Sequence, residues 1–149
     1  MSSATLLGGL SISSSSFFII FIVVVLHFSL PSHADVGTAA RYSPPYLPSQ
    51  CYGGEATQFP SSNLFAAAGD GIWDNGAGCG RQYLVRCISA EEPRTCIPDQ
   101  SIQIKIVDYA VSEVSPPSTN GTTMVLSDMA FSTIANSSAT LINIEFQQV

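Results

Sequence analysis

The groups that could do chemistry in this chain are few: eleven carboxylates, four cysteines, two histidines and a scatter of aromatic rings. Nucleophilic catalysis by Ser or Cys needs an adjacent base, most often His. Both histidines, His27 and His33, sit in the N-terminal apolar region, so a chain trimmed of that region carries none. Cutting a glycosidic bond needs two carboxyl groups facing one another across the sugar, with pKa values set apart. Asp108 closes an alternating run and is followed by Tyr109, whereas Glu91 and Glu92 read as solvated loop charges. Tyr42, Tyr46, Trp73 and Tyr109 are rings that could stack on sugar. Cys51, Cys79, Cys87 and Cys96 form an even set, which in a small exported domain is a disulfide framework with three pairings open. Zinc is the competing reading. Cys-x₂-Cys spacing is absent and no His is left to help, so no metal or other cofactor is expected.

These groups must be held by the elements around them, and the stretch from Gly71 to Ile88 is the most informative. Asn75-Gly76 and Gly78-Cys79-Gly80 mark a loop whose backbone turns sharply or passes close to another segment. Trp73, the only Trp, reads first as an anchor for that loop and second as a sugar platform. Tyr83, Val85 and Cys87 then fall on one side of a strand, with Leu84, Arg86 and Ile88 on the other. Ser101 to Tyr109 is the cleanest strand, with Ile102, Ile104 and Ile106 on one face and Gln103, Lys105 and Val107 on the other. Gly37 to Tyr42 and Thr123 to Leu126 read as short strands, and Thr140 to Phe146 as a last alternating one. Ser62 to Ala68 predicts a brief capped helix stopped at Gly69. Ser127 to about Ala135 predicts a second, with Ser127 as N-cap, Asp128 favourable in the first turn, and Ala130, Phe131 and Ile134 inward. The sum is a mostly-β closed domain with one or two short helices.

Residues 1–34 read as a signal peptide. Phe17 to Leu30 is an apolar run of signal-core length, too short for a comfortable membrane span, and Ser32-His33-Ala34 places small residues before a cut ahead of Asp35. The usual positive start is missing, since no Lys or Arg precedes Arg41. Residues 35–149 are then one domain, secreted to the extracellular space. The net charge of −6 and five singly scattered basic residues argue against nucleic acid and against an anionic membrane for the mature form. Two sequons, at Asn120 and Asn136, are candidate N-glycosylation sites in expected loops.

Five ordered stretches carry a resemblance: Gly37-Thr38-Ala39, Cys51-Tyr52-Gly53-Gly54, Trp73 through Arg81, Ile106-Val107-Asp108, and Leu126-Ser127 through Ala135. Together they resemble the plant natriuretic peptides, also called endoglucanase-45-like domain proteins, which are similar to the first domain of expansins. The resemblance implies a six-stranded double-psi β-barrel and the pairings Cys51 with Cys79 and Cys87 with Cys96. Closing those loops would remove about 3.5 and about 2.5 kcal/mol of denatured-state entropy. It also implies a groove around Thr38, Tyr42, Trp73, Asp74, Asp108 and Tyr109, in which Asp108 matches an acidic lining position. From the residues alone, Asp108 reads equally as a buried hydrogen-bonding group. The position matching the proton donor of family-45 endoglucanases is Val125, and the first strand offers no second carboxylate in Thr38 to Tyr42. A further expansin cysteine would fall at Gln82. The chain ends at Val149, where expansins carry a carbohydrate-binding second domain, so expansin-type wall loosening is not expected. No catalytic residue is therefore assigned. The expected role is a non-catalytic apoplastic signal in water and solute homeostasis, monomeric, acting through a cell-surface receptor and the segment from Cys51 to Cys79. The alternatives are a cell-wall polysaccharide-binding or defence protein, and a residual glycan-cleaving enzyme using Asp108.

Overall fold

The computed structural model describes residues 33–111 and 121–149, together with six positions between 14 and 22. Most of the apolar run at 17–30 and the sequon at Asn120 lie outside the described residues. The chain divides into Met1–His33 and Ala34–Val149, and the second unit is a barrel.

Its six strands are β1 (Asp35–Tyr42), β2 (Phe65–Ala68), β3 (Gln82–Ser89), β4 (Ile102–Tyr109), β5 (Met124–Ser127) and β6 (Leu141–Gln148). They close in the order β1-β5-β2-β4-β3-β6. The pairs β1–β5 and β2–β4 are parallel and the other four antiparallel. Alternation decides which side chains fill the interior. Tyr83 and Val85 of β3, Ile102, Ile104 and Ile106 of β4, and Ile142 and Ile144 of β6 all join one buried cluster. This is the six-stranded double-psi barrel that the resemblance implied.

A second core lies outside the barrel wall. Ala40, Tyr42, Phe65, Ala67, Val107 and Val125 point outward from β1, β2, β4 and β5, and the long β1–β2 loop covers them with Tyr46, Tyr52 and Phe59. Five edge-to-face ring pairs, from Tyr42 with Tyr46 to Phe59 with Phe65, knit this layer. The loop is fastened further by the Cys51–Cys79 disulfide. Lys105 adds a tie, its Nζ donating to the Gln58 carbonyl at 2.7 Å and lying 5.1 Å from the Tyr52 ring centroid.

Residues 62–68 do not form the expected helix. Phe65–Ala68 is the strand β2, all four residues buried, with Ala66 opposite Ile106 of β4 and opposite Leu126 of β5. Alanine favours helix only where neighbours do not decide. Here, strands on both edges and cores on both faces decide. The second expected helix is present as α2 (Asp128–Ile134). Ser127 Oγ accepts the Ala130 N–H at 3.2 Å and donates to the Asn63 carbonyl at 2.7 Å, so one hydroxyl caps the helix and ties down the β1–β2 loop. A further turn, α1 (Asp70–Trp73), opens the stretch expected to be loop. After it, Asp74, Asn75 and Gly76 take φ of 49, 52 and 94°. At Gly78 a Cβ would sit 2.4 Å from the Ile72 carbonyl oxygen, so only glycine lets the loop pass the end of α1.

Candidate functional site at the barrel mouth

The pairing registers bring the starts of β1, β3 and β5 and the ends of β2, β4 and β6 to one end of the barrel. α1 follows directly from the end of β2 and stands over that end. Beside it opens a cleft of about 600 Å³, with Asp35, Asp70, Arg81 and Thr123 among its polar lining and Ile72, Tyr83 and Phe146 among its apolar lining.

At this mouth the half-buried Trp73 stacks on Tyr109, ring centroids 4.6 Å apart and planes 15° from parallel. Asp70 and Trp73 lie three apart on α1, so they share a face of the turn. The Tyr109 hydroxyl donates a short hydrogen bond to Asp70 Oδ1, and that bond raises the Tyr109 pKa above 10.0. On the other side Arg81 Nη2 donates to Asp74 Oδ2 at 2.9 Å and Nη1 to the Ile72 carbonyl at 3.4 Å. The Asp74 bond raises the Arg81 pKa further, so the guanidinium stays charged. The result is a rigid, partly exposed aromatic pair flanked by two carboxylates, each already engaged by a neighbour. Such a surface can stack and hydrogen-bond a ligand. For general-acid catalysis it is poorly arranged, because each carboxylate already accepts a hydrogen bond from a neighbouring side chain.

The six residues expected to share a groove do not converge. Trp73, Asp74 and Tyr109 meet at the mouth. Asp108 and Tyr42 are buried beneath the β1–β2 loop, at 0% and 7% exposure, and are corrected from groove-lining to structural positions. A register shift between Ala66 and Ala67, where β4 gains a residue, puts Val107 and Asp108 together on the loop side. Asp108 Oδ1 accepts the backbone N–H of Gln50 and of Tyr109, each at 2.8 Å. Burial, then the nearby Asp108 charge, push the Tyr42 phenol far above its ordinary range, so it stays protonated. Thr38 pairs with Asn143, and its N–H donates at 3.0 Å to Oγ1 of Thr123, a residue of the cleft lining, so it stands behind the cleft wall.

Comparison with known proteins now bears on this geometry. A family model described as lytic transglycolase matches residues 65–146. An EG45-like domain containing protein of Citrus jambhiri is 37% identical over 132 residues, covering 87% of this chain and 93% of the relative. The putative EG45-like domain containing protein 1 of Arabidopsis thaliana is 39% identical over 128 residues, covering 83% and 90%. The chain belongs to the EG45-like domain family. Among solved structures, a Clavibacter michiganensis expansin mutant in complex with cellohexaose superposes with a TM-score of 0.58 at 17% identity. That match covers 78% of this chain, and the EG45-like barrel spans 50% of the expansin.

In this EG45-like barrel Val125 is fully buried in β5 opposite Ala67 and Ala40. Asp128 stands three residues on, at the start of α2, with Arg41 Nη1 3.8 Å away, where the helix dipole accounts for it. The sequence reading assigns none of the cleft-lining residues named above to a site, Asp70, Arg81, Tyr83 and Phe146 included. Arg81 belongs to the quoted Trp73–Arg81 stretch, and the three-residue spacing of Asp70 and Trp73 would have paired them had a helical turn been read there.

Proposed function

We propose that residues 1–34 are removed on export and that residues 35–149 act outside the cell, without catalysis, as a signal in water and solute homeostasis like that of the plant natriuretic peptides resembled above. The observation that carries the non-catalytic part is the fate of the carboxylates. Asp108, the acidic groove position of the resemblance, is buried as a hydrogen-bond acceptor, Val125, which the resemblance matches to a proton-donor position, is a buried aliphatic residue, and the mouth carboxylates Asp70 and Asp74 are both engaged. Two disulfides in a small barrel fit an oxidising, extracellular setting.

Within the segment from Cys51 to Cys79, β2 is wholly buried, so a receptor reading the folded protein can meet the exposed stretches from Gly53 to Gln58 and from Ser61 to Asn63, with their flanks, and the mouth around Asp70 to Ala77. The segment that carries them is closed at its ends by the Cys51–Cys79 bridge. The test is volume change of isolated plant protoplasts on adding purified, disulfide-bonded protein. Swelling that the reduced and alkylated protein fails to give supports the reading. No response at any concentration from the oxidised protein overturns it.

A second reading, wall-polysaccharide binding, is favoured by one feature, the Trp73–Tyr109 stack beside an open cleft. The fold neighbour solved with cellohexaose lends it support as a fold alone. Retention on insoluble β-glucan that Trp73→Ala abolishes would put this reading first.

A further inference from the structure

We infer that Asn136 is an acceptor for N-linked glycan, carried at the end of the barrel opposite the mouth. The inference rests on the export reading above. Asn136-Ser137-Ser138 is an Asn-x-Ser sequon without proline, and the fold holds it in a turn that faces solvent.

Asn136 follows α2, which begins where β5 ends, so it belongs to the far end of the barrel. Its backbone N–H donates to the Thr95 carbonyl at 2.7 Å, and its carbonyl accepts the Ala139 N–H at 3.1 Å. The residue before it, Ala135, bridges to Cys96, and Cys96 is bonded to Cys87 at the end of β3. The turn is thus anchored from both sides, while Asn136, Ser137 and Ser138 are all exposed. Asn136 Oδ1 accepts the Ser138 N–H at 3.0 Å. In a planar carboxamide this directs Nδ2 away from that bond. A glycan attached during synthesis therefore needs no rearrangement to be accommodated once the chain has folded.

The donor is a lipid-pyrophosphate-linked oligosaccharide of the secretory lumen. A C–N bond forms between Asn136 Nδ2 and the anomeric carbon, and the bond from that carbon to the pyrophosphate oxygen breaks. The amide proton passes to a base of the transferase, and the lipid pyrophosphate leaves. The Ser138 hydroxyl is the group the sequon supplies for recognition. The sugar would stand beside Ile97, an exposed apolar side chain whose N–H donates to the Ile134 carbonyl, and would leave the Trp73–Tyr109 mouth uncovered.

The test is peptide mapping of the full chain expressed in plant suspension cells. Protein from the medium is released with a plant-competent peptide-N-glycosidase in heavy-oxygen water, which marks each formerly glycosylated Asn as labelled Asp. Label at position 136, lost in Ser138→Ala and kept in Ser138→Thr, is the expected result. Protein in the medium with unlabelled Asn136 overturns this inference alone. Protein retained in the cytosol with free thiols overturns the export reading and this inference with it.

Discussion

Replacing Asp108 should unfold the covering loop before it touches the mouth. Two backbone N–H groups, of Gln50 and Tyr109, donate to its buried carboxylate at 2.8 Å each. A hydrogen bond to a charged acceptor contributes about 1.5–3 kcal/mol net. Gln50 is an exposed residue and its N–H regains water once the loop loosens, so the lower end applies to that bond. Asp108→Ala should therefore cost about 3 kcal/mol, and Asp108→Asn, which keeps one acceptor oxygen, about half as much. At a urea m-value of about 1.5 kcal/mol/M, the midpoint falls by about 2 M for Ala and about 1 M for Asn. Amide exchange at residues 49–53 should accelerate in both variants, because the lost bond anchors that stretch. Asp74→Ala is the control: its ion pair with Arg81 is exposed and screened by solvent, so the midpoint should stay at the parent's. A midpoint for Asp108→Ala within about 0.3 M of the parent, together with loss of a ligand-dependent activity, would refute the structural assignment and return Asp108 to a functional groove.

Three further outcomes follow from the same packing. Gly69→Ala places a Cβ 2.1 Å from the Thr122 carbonyl oxygen and should cost about 3 kcal/mol in thermal unfolding, whereas Gly54→Ala, with nothing within 4 Å, should stay within about 0.5 kcal/mol. Paired Cys→Ser replacement should cost about 3.5 kcal/mol at Cys51 and Cys79 and about 2.5 kcal/mol at Cys87 and Cys96; the reverse order in denaturant midpoints would contradict the loop-length argument. The Tyr109 phenol, raised by its bond to Asp70, holds its proton more tightly in the folded state. That contribution is complete below pH 10.0 and disappears as pH rises through the folded value. Quenching of Trp73 fluorescence by the stacked tyrosinate should report that titration, and Asp70→Asn should bring it down toward the ordinary Tyr value.

Much of the barrel was legible because single-face burial writes a period of two into a strand. β3, β4 and β6 each carry an apolar face inward, and α2 announces itself through Ser127 and the spacing of Ala130, Phe131 and Ile134. β2 was hidden for the opposite reason. Buried on both faces, it has no alternation, and three alanines imitate a helix. The disulfide pairing came from resemblance alone, since the cysteine count leaves three pairings open, and the structure joins Cys51 to Cys79 and Cys87 to Cys96. The site was the least legible part. Trp73 and Tyr109 lie far apart in sequence and meet only because α1 and the end of β4 share one end of the barrel. Asp108 is taken out of the groove by a one-residue bulge and by an aromatic loop without periodic pattern, neither of which a linear reading anticipates.

The most direct test of the central claim is oligosaccharide release, followed by mass spectrometry, from β-glucan and xyloglucan incubated with purified residues 35–149 whose disulfides are intact. The account predicts no product above the buffer blank over an extended incubation. Sustained release of oligosaccharide that Asp70→Asn or Asp108→Asn abolishes, while the variant remains folded, would contradict it.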